Sequence, residues 1–126
     1  MIDPVSKSGF SNLDYGSGAQ AVVIQDEDLI IRVVTPLAEA LFGWLQAEVP
    51  GHACSDILQC ADEAGRPLCP NCGAKAAIER RTMIPPTAIQ VQHADGTRRA
   101  ATASFWYLPP VGRFLEPRAM TVIRLT

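Results

Sequence analysis

Residues 21 to 51 read AVVIQDEDLIIRVVTPLAEALFGWLQAEVPG, and the succession of patterns in this stretch decides the fold. Two β-branched runs, Ala21 to Gln25 and Leu29 to Val34, flank the acidic triplet Asp26-Glu27-Asp28, which reads as a hairpin. Thr35-Pro36 then closes the second strand and opens a helix, because Thr is a good N-cap and the fixed φ of Pro suits the first helical position. Leu37, Ala40, Leu41 and Trp44 fall at i, i+3, i+4 and i+7, which predicts one apolar stripe facing a core. Gly43 ends or bends that helix, and Glu48-Val49-Pro50-Gly51 is a turn.

Downstream, Ser55 to Leu58 fits a single helical turn. Gly73 to Arg81 is helical again, with Ala74, Ala77 and Ile78 on one face and Lys75 and Glu79 paired at i,i+4 on the other. After Pro85-Pro86 the period becomes two: Ile89, Val91 and His93 alternate with Gln90 and Gln92 up to an Asp95-Gly96 hairpin turn. The return strand, Arg98 to Leu108, sends Ala101, Ala103, Phe105 and Tyr107 to one face and Thr102, Ser104 and Trp106 to the other. A loop from Pro109 to Pro117 precedes a last strand at Ala119 to Leu125. The expected fold class is α+β, a five-stranded antiparallel sheet with short helices packed on one face. Residues 20–126 form the domain, and residues 1–19, with scattered anchors Val5, Phe10, Leu13 and Tyr15, form a lead-in that is either a short cap or a partly ordered tail.

Composition narrows the function. The chain has 126 residues, of which 48% are hydrophobic, enough for one packed core. Its formal charge of −2 lacks the basic excess that sequence-independent nucleic-acid binding requires, so no direct nucleic-acid contact is expected. No apolar run has the length of a membrane span or the form of a signal peptide, and the expected location is the cytoplasm.

All four cysteines fall between Cys54 and Cys72, spaced C-x5-C-x8-C-x2-C. The final Cys69-Pro70-Asn71-Cys72-Gly73 is similar to the metal knuckle of rubredoxins and zinc ribbons, a turn that aims two sulfurs at one point. Thiolates are soft ligands, and four of them suit tetrahedral Zn²⁺, a single iron, or an iron–sulfur cluster. The candidate metal ligands are Cys54, Cys60, Cys69 and Cys72, with His52 as a substitute or supporting group. Three other readings stay open: buried thiols that only fill core, a redox dithiol at Cys69 and Cys72, and structural disulfides, the last disfavoured in a reducing compartment. No phosphate loop, nucleophile elbow or helical HExxH is present, and Ser104 with His93 is weak ground for catalysis, so no enzymatic activity is expected. Phe42, Trp44, Phe105 and Tyr107 are candidates to line a small-ligand pocket, although core packing explains aromatics at such positions equally well.

The ordered set of these features resembles a PAS domain. The hairpin AVVIQDEDLIIRVV, then PLAEALFGWLQAEVPG with Phe42-Gly43-Trp44 and Glu48-Val49-Pro50-Gly51, stands where that family has its "fG(y/w)…eE(l/v)xG" signature. The later Asp95-Gly96 hairpin and the two long strands match its C-terminal half, so the resemblance runs from about residue 20 to the end. Thr35 departs from the Asn often found before the first helix, and the cysteines resemble those of a subgroup that carries them in the helical segment. The resemblance implies a signal-sensing module that regulates a kinase, cyclase or transcription output, is often a homodimer, and acts by ligand- or redox-dependent changes in protein contacts. The alternatives are a thiol-redox protein using Cys69 and Cys72, or a metal-free PAS interaction module.

Overall fold

The computed structural model describes residues 20–69, 71–113 and 115–126; the expected lead-in at residues 1–19 and Pro70 of the knuckle lie outside them. The strands are β1 (Ala21–Asp26), β2 (Ile31–Val34), β3 (Ile84–Gln92), β4 (Arg98–Leu108) and β5 (Arg118–Leu125). Between β2 and β3 lie α1 (Pro36–Phe42), a 3-10 turn (Gln46–Glu48), α2 (Cys54–Ile57) and α3 (Gly73–Arg80). One antiparallel sheet runs in the order β2-β1-β5-β4-β3, so the first and last strands lie side by side at its middle. This is the expected α+β architecture.

Strand parity selects the buried face. Ala21, Val23 and Gln25 on β1, Ala119, Thr121 and Ile123 on β5, and Ala101, Ala103 and Phe105 on β4 all point into the core. Residues between them stay partly or fully exposed, as period-two alternation dictates for a sheet covered on one side. The registers Ala21↔Ile123 and Ala103↔Ile123 bring these inward positions level across three strands.

The first hairpin differs from the sequence reading at its turn. Asp26 is not a solvated loop acid but 2% exposed, and the second strand begins at Ile31 rather than Leu29. One carboxylate oxygen accepts the N–H groups of Asp28 and Ile30 at 2.9 and 3.0 Å, and the other accepts Arg32 Nε and Nη2 at 2.8 and 2.7 Å. Leu29 is left with φ +62°, the left-handed conformation that such a tight closure imposes.

Thr35 stands at the N-cap of α1, yet its hydroxyl does not cap the helix. Instead Oγ1 accepts the Val22 N–H at 3.0 Å, while the Thr35 N–H donates to Val22 O at 3.0 Å, which fastens the start of the helix to β1. The face of α1 also differs: Ala38, Leu41 and Phe42 are buried and Ala40 is exposed. Gly43 ends the helix with φ +80°, its N–H bonded to Glu39 O, so Trp44 lies beyond the helix rather than on its stripe. A Cβ on Gly43 would meet His93 Cε1 at 2.5 Å, and His93 is accordingly half-buried against this turn, not solvent-facing.

β3 begins at Ile84 and passes through Pro85 and Pro86, where its register with β4 shifts. Prolines are tolerated there because β3 is an edge strand and this first part of it has no ladder to complete on its outer side.

Candidate thiol centre

Each cysteine is placed by a different local device. Cys54 opens α2, and its backbone N–H donates to Leu29 O at 2.9 Å, tying the helix to the turn of the first hairpin. Cys60 begins a small closed loop: Leu68 N–H donates to Cys60 O at 3.0 Å, and Ala61 bridges Pro67. Asp62 holds that loop shut by accepting the N–H groups of Ala64 and Arg66 on one oxygen and Arg66 Nε on the other. The loop is sewn to the sheet by reciprocal 2.9 Å bonds between Ala61 and Gln90. It therefore returns Cys69 to the neighbourhood of Cys60.

Cys72 is the N-cap residue of α3, which packs on β4 and β5. That approach requires a glycine next to it. A Cβ on Gly73 would stand 2.3 Å from Cδ2 and Cε2 of Phe105, so any larger residue would push the helix start, and the sulfur with it, away from the sheet.

All four side chains are free thiols; Cys54, Cys60 and Cys72 are buried and Cys69 is partly exposed. They share one electrostatic neighbourhood, because every pair among the four interacts as like charges would. Burial raises Cys54 to about 11, against the opposing hydrogen bond from Gln25. Burial pushes Cys60 higher still, with Cys54 and Cys72 adding to it. Cys69 and Cys72 titrate as a pair. Cys69 is raised first because its thiol donates a hydrogen bond to Cys72, whereas Cys72 is lowered to about 6 by that same bond and, despite burial, by the N–H groups of Lys75 and Ala74 at the helix start.

The donor set has the right chemistry for a thiophilic metal, and its geometry is partly assembled. Cys69 and Cys72 form a hydrogen-bonded pair, with Cys54 and Cys60 as neighbours. Among the described residues, no three His, Cys, Asp or Glu side chains stand where they would ligate one ion together. His52 is exposed, with its carbonyl accepting the Ile31 N–H at 2.9 Å.

One residue of the centre escapes the sequence reading. Gln25, 1% exposed, donates an Nε2 hydrogen to Cys54 Sγ at 3.5 Å, and its Oε1 accepts the hydroxyl of Thr121 at 3.0 Å. Its signal in the sequence is parity, since it occupies the same face of β1 as Ala21 and Val23.

The four aromatic pocket candidates do not gather. Phe42 and Trp44 line a cavity with Val23, Ile31, Val34 and Ile57, but its volume of about 10 Å³ is that of roughly one water molecule. Trp44 Nε1 is buried without a hydrogen-bond partner among the described residues. Phe105 lies instead under Gly73, and Tyr107 is half-buried further along β4. Ser104 and His93 are likewise apart in role: Ser104 Oγ accepts the Trp106 indole N–H at 3.2 Å, while His93 Nδ1 accepts the Asp95 N–H at 3.0 Å. Among the described residues, no helix is long and apolar enough to cross a membrane.

No family model matches the chain, and no curated protein matches it in sequence. Solved structures do. The PAS domain of nitrogen regulation protein NR(II) from Vibrio parahaemolyticus superimposes with a TM-score of 0.67 at 16% identity, covering 97% of this chain and 99% of that one. A PAS domain from Colwellia psychrerythraea gives 0.67 at 15% identity, with 95% of each chain covered. A fungal light-oxygen-voltage (LOV) photoreceptor domain, described with blue light and oxidative stress, gives 0.65 at 16% identity over 97% of this chain and 92% of that one. At these identities the likeness establishes the architecture, and the chain has the PAS fold.

Proposed function

We propose that this chain is a signal-sensing PAS module whose four cysteines form one thiol centre that takes Zn²⁺ or an iron–sulfur cluster. The observation that supports the reading is that Cys54, Cys60 and Cys72 lie in one buried core cluster with Cys69 packed against it, each brought there by a separately anchored segment. Desolvation and mutual repulsion oppose holding four thiolates together, and a shared cation would offset both. Cys69 and Cys72 would hold it first and Cys54 and Cys60 would complete the shell. Bound there, zinc would supply a closed structural tie and a cluster would supply redox sensitivity. In this reading the module is a cytoplasmic homodimer that acts through protein contacts, without catalysis. Its output is a kinase or a DNA-binding transcription regulator, as the resemblance to the PAS family implies.

Anaerobic purification followed by elemental analysis and an absorption spectrum tests it. One zinc per chain in colourless protein, or iron and sulfide with visible absorption, supports the centre, and a Cys72→Ser variant should lose the bound element. Metal-free protein that takes up neither would sink the reading.

The hydrogen bond between Cys69 and Cys72 favours one second reading, a redox dithiol. Oxidation by a hydroperoxide would join the two sulfurs, release two thiol hydrogens and reduce hydrogen peroxide to two waters. Metal-free protein that loses two titratable thiols on peroxide treatment, and regains them with a dithiol reductant, would select it.

A further inference from the structure

We propose that Gln25 couples the thiol centre to the sheet: its amide N–H holds Cys54 Sγ while its carbonyl oxygen holds Thr121, so a change in what that sulfur is bonded to is transmitted to β5. The inference deepens the proposed function and rests on the four cysteines being a working centre.

The three groups come from elements far apart in sequence. Gln25 lies on β1, Cys54 opens α2, and Thr121 sits in the middle of β5, 96 residues from Gln25. All three are buried, at 1%, 3% and 1% exposure. Their inward neighbours on the same strands are Val23 and Ile123, and an aliphatic residue at position 25 would fill that layer without the desolvation cost of an amide. A primary amide in such a place is stable only while both its ends are bonded.

The polarity of the chain of bonds is what makes it responsive. Because the Thr121 hydroxyl donates to Oε1, the amide is held with its NH₂ toward the sulfur. A sulfur bound to a metal ion carries negative charge and accepts that N–H more strongly than a thiol does. A disulfide that included Cys54 would accept it poorly and strand a buried donor unless the amide moved. Either change alters how firmly Thr121 is held. Thr121 is paired with Val23 on β1 on one side and Phe105 on β4 on the other, so it reports to the centre of the sheet.

Hydrogen–deuterium exchange of the amides at residues 119–123 tests the coupling, with free thiols counted in parallel. The reduced full chain is compared before and after one equivalent of Zn²⁺, and before and after hydrogen peroxide. In the unsubstituted protein, the probe that removes the free thiol of Cys54, identified by peptide mapping, should change β5 exchange by roughly threefold or more. Gln25→Met and Thr121→Val should lose the same number of thiols with β5 exchange nearly unchanged, and Thr121→Ser, which keeps the hydroxyl, should restore the response. A merely structural role for Thr121 would lower stability in Thr121→Val without touching the dependence on thiol state. The proposal is overturned if the variants respond as the unsubstituted protein does, or if the Cys54 thiol is lost in the unsubstituted protein with β5 unmoved. Should Gln25→Met fail to fold, the two Thr121 variants carry the test. If neither probe lowers the thiol count, the thiol centre itself falls and the coupling falls with it.

Discussion

The layer that covers the sheet is built in two unlike halves. Under α1, large aliphatic and aromatic side chains meet: Leu41 and Phe42 from the helix, Val49, Ile57 and Leu58 from the following turns, and Val23, Ile31 and Val34 from the strands. Beside α3 small side chains dominate, Ala74 and Ala77 on the helix and Ala101, Ala103 and Ala119 on the strands it faces, with Phe105 and Ile123 the large exceptions and three buried thiols in the same core. The first half is held by the area its side chains remove from water. The second is held by close approach of backbone and by the Asp62 loop. Under the proposed function, the half that carries the thiols is the responsive one and the half under α1 is its frame.

The largest predicted effect strikes the apolar half. Phe42→Ala, at a position 2% exposed, should cost about 3–5 kcal/mol in urea unfolding. If Cys60 then becomes reactive only in step with global unfolding, the halves are one cooperative unit; reactivity at lower urea would show that the thiol half opens by itself. An intermediate effect strikes the other half. Gly73→Val places a methyl-bearing Cβ into the Phe105 ring and should cost about 1–3 kcal/mol, while Phe105→Leu in the same chain should recover part of it. In the same variant, zinc uptake should fall along with stability, because Cys72 moves with the helix start.

The smallest effect calibrates both, since Asp95 belongs to neither half. Hydrogen bonds from the Thr97 hydroxyl and N–H, with His93 and Arg99 nearby, hold its carboxyl down at about 2, below the ordinary 3.8. A folded-state value below the unfolded one means its contribution is complete above about pH 4 and is lost as pH falls through 2. Amide exchange across the β3–β4 hairpin should accelerate in that window, and Asp95→Asn should abolish this pH dependence.

Much of the frame was legible because alternation is hard to mistake. Ala101, Ala103 and Phe105 are inward, Ser104 and Trp106 are not, and the Asp95-Gly96 turn lies where its residue types require it, with Gly96 at φ +91°. The face of α1 was not legible for a physical reason. Residues 37, 38, 40, 41, 42 and 44 are all apolar, so in a two-turn helix periodicity names no single stripe and tertiary packing chooses. The cysteines announced themselves by type, while the devices that place them did not. Asp62 looks like any surface acid, Gln25 like the polar end of a strand, and Thr35 like a helix cap. In each case the partner lies elsewhere in the chain, and spacing along the sequence carries no trace of it.

β3 has a further consequence for how copies of this chain behave at high concentration. Along its first half, Pro85 and Pro86 supply no backbone hydrogen for an incoming strand; along its second, Ala61 and Leu58 already occupy the outer hydrogen-bonding positions at Gln90 and Gln92. The cysteine loop thus doubles as a guard rail. Opening it would free hydrogen-bonding positions along β3, so the loop that carries the cysteines also stands between copies of this chain and edge-to-edge pairing.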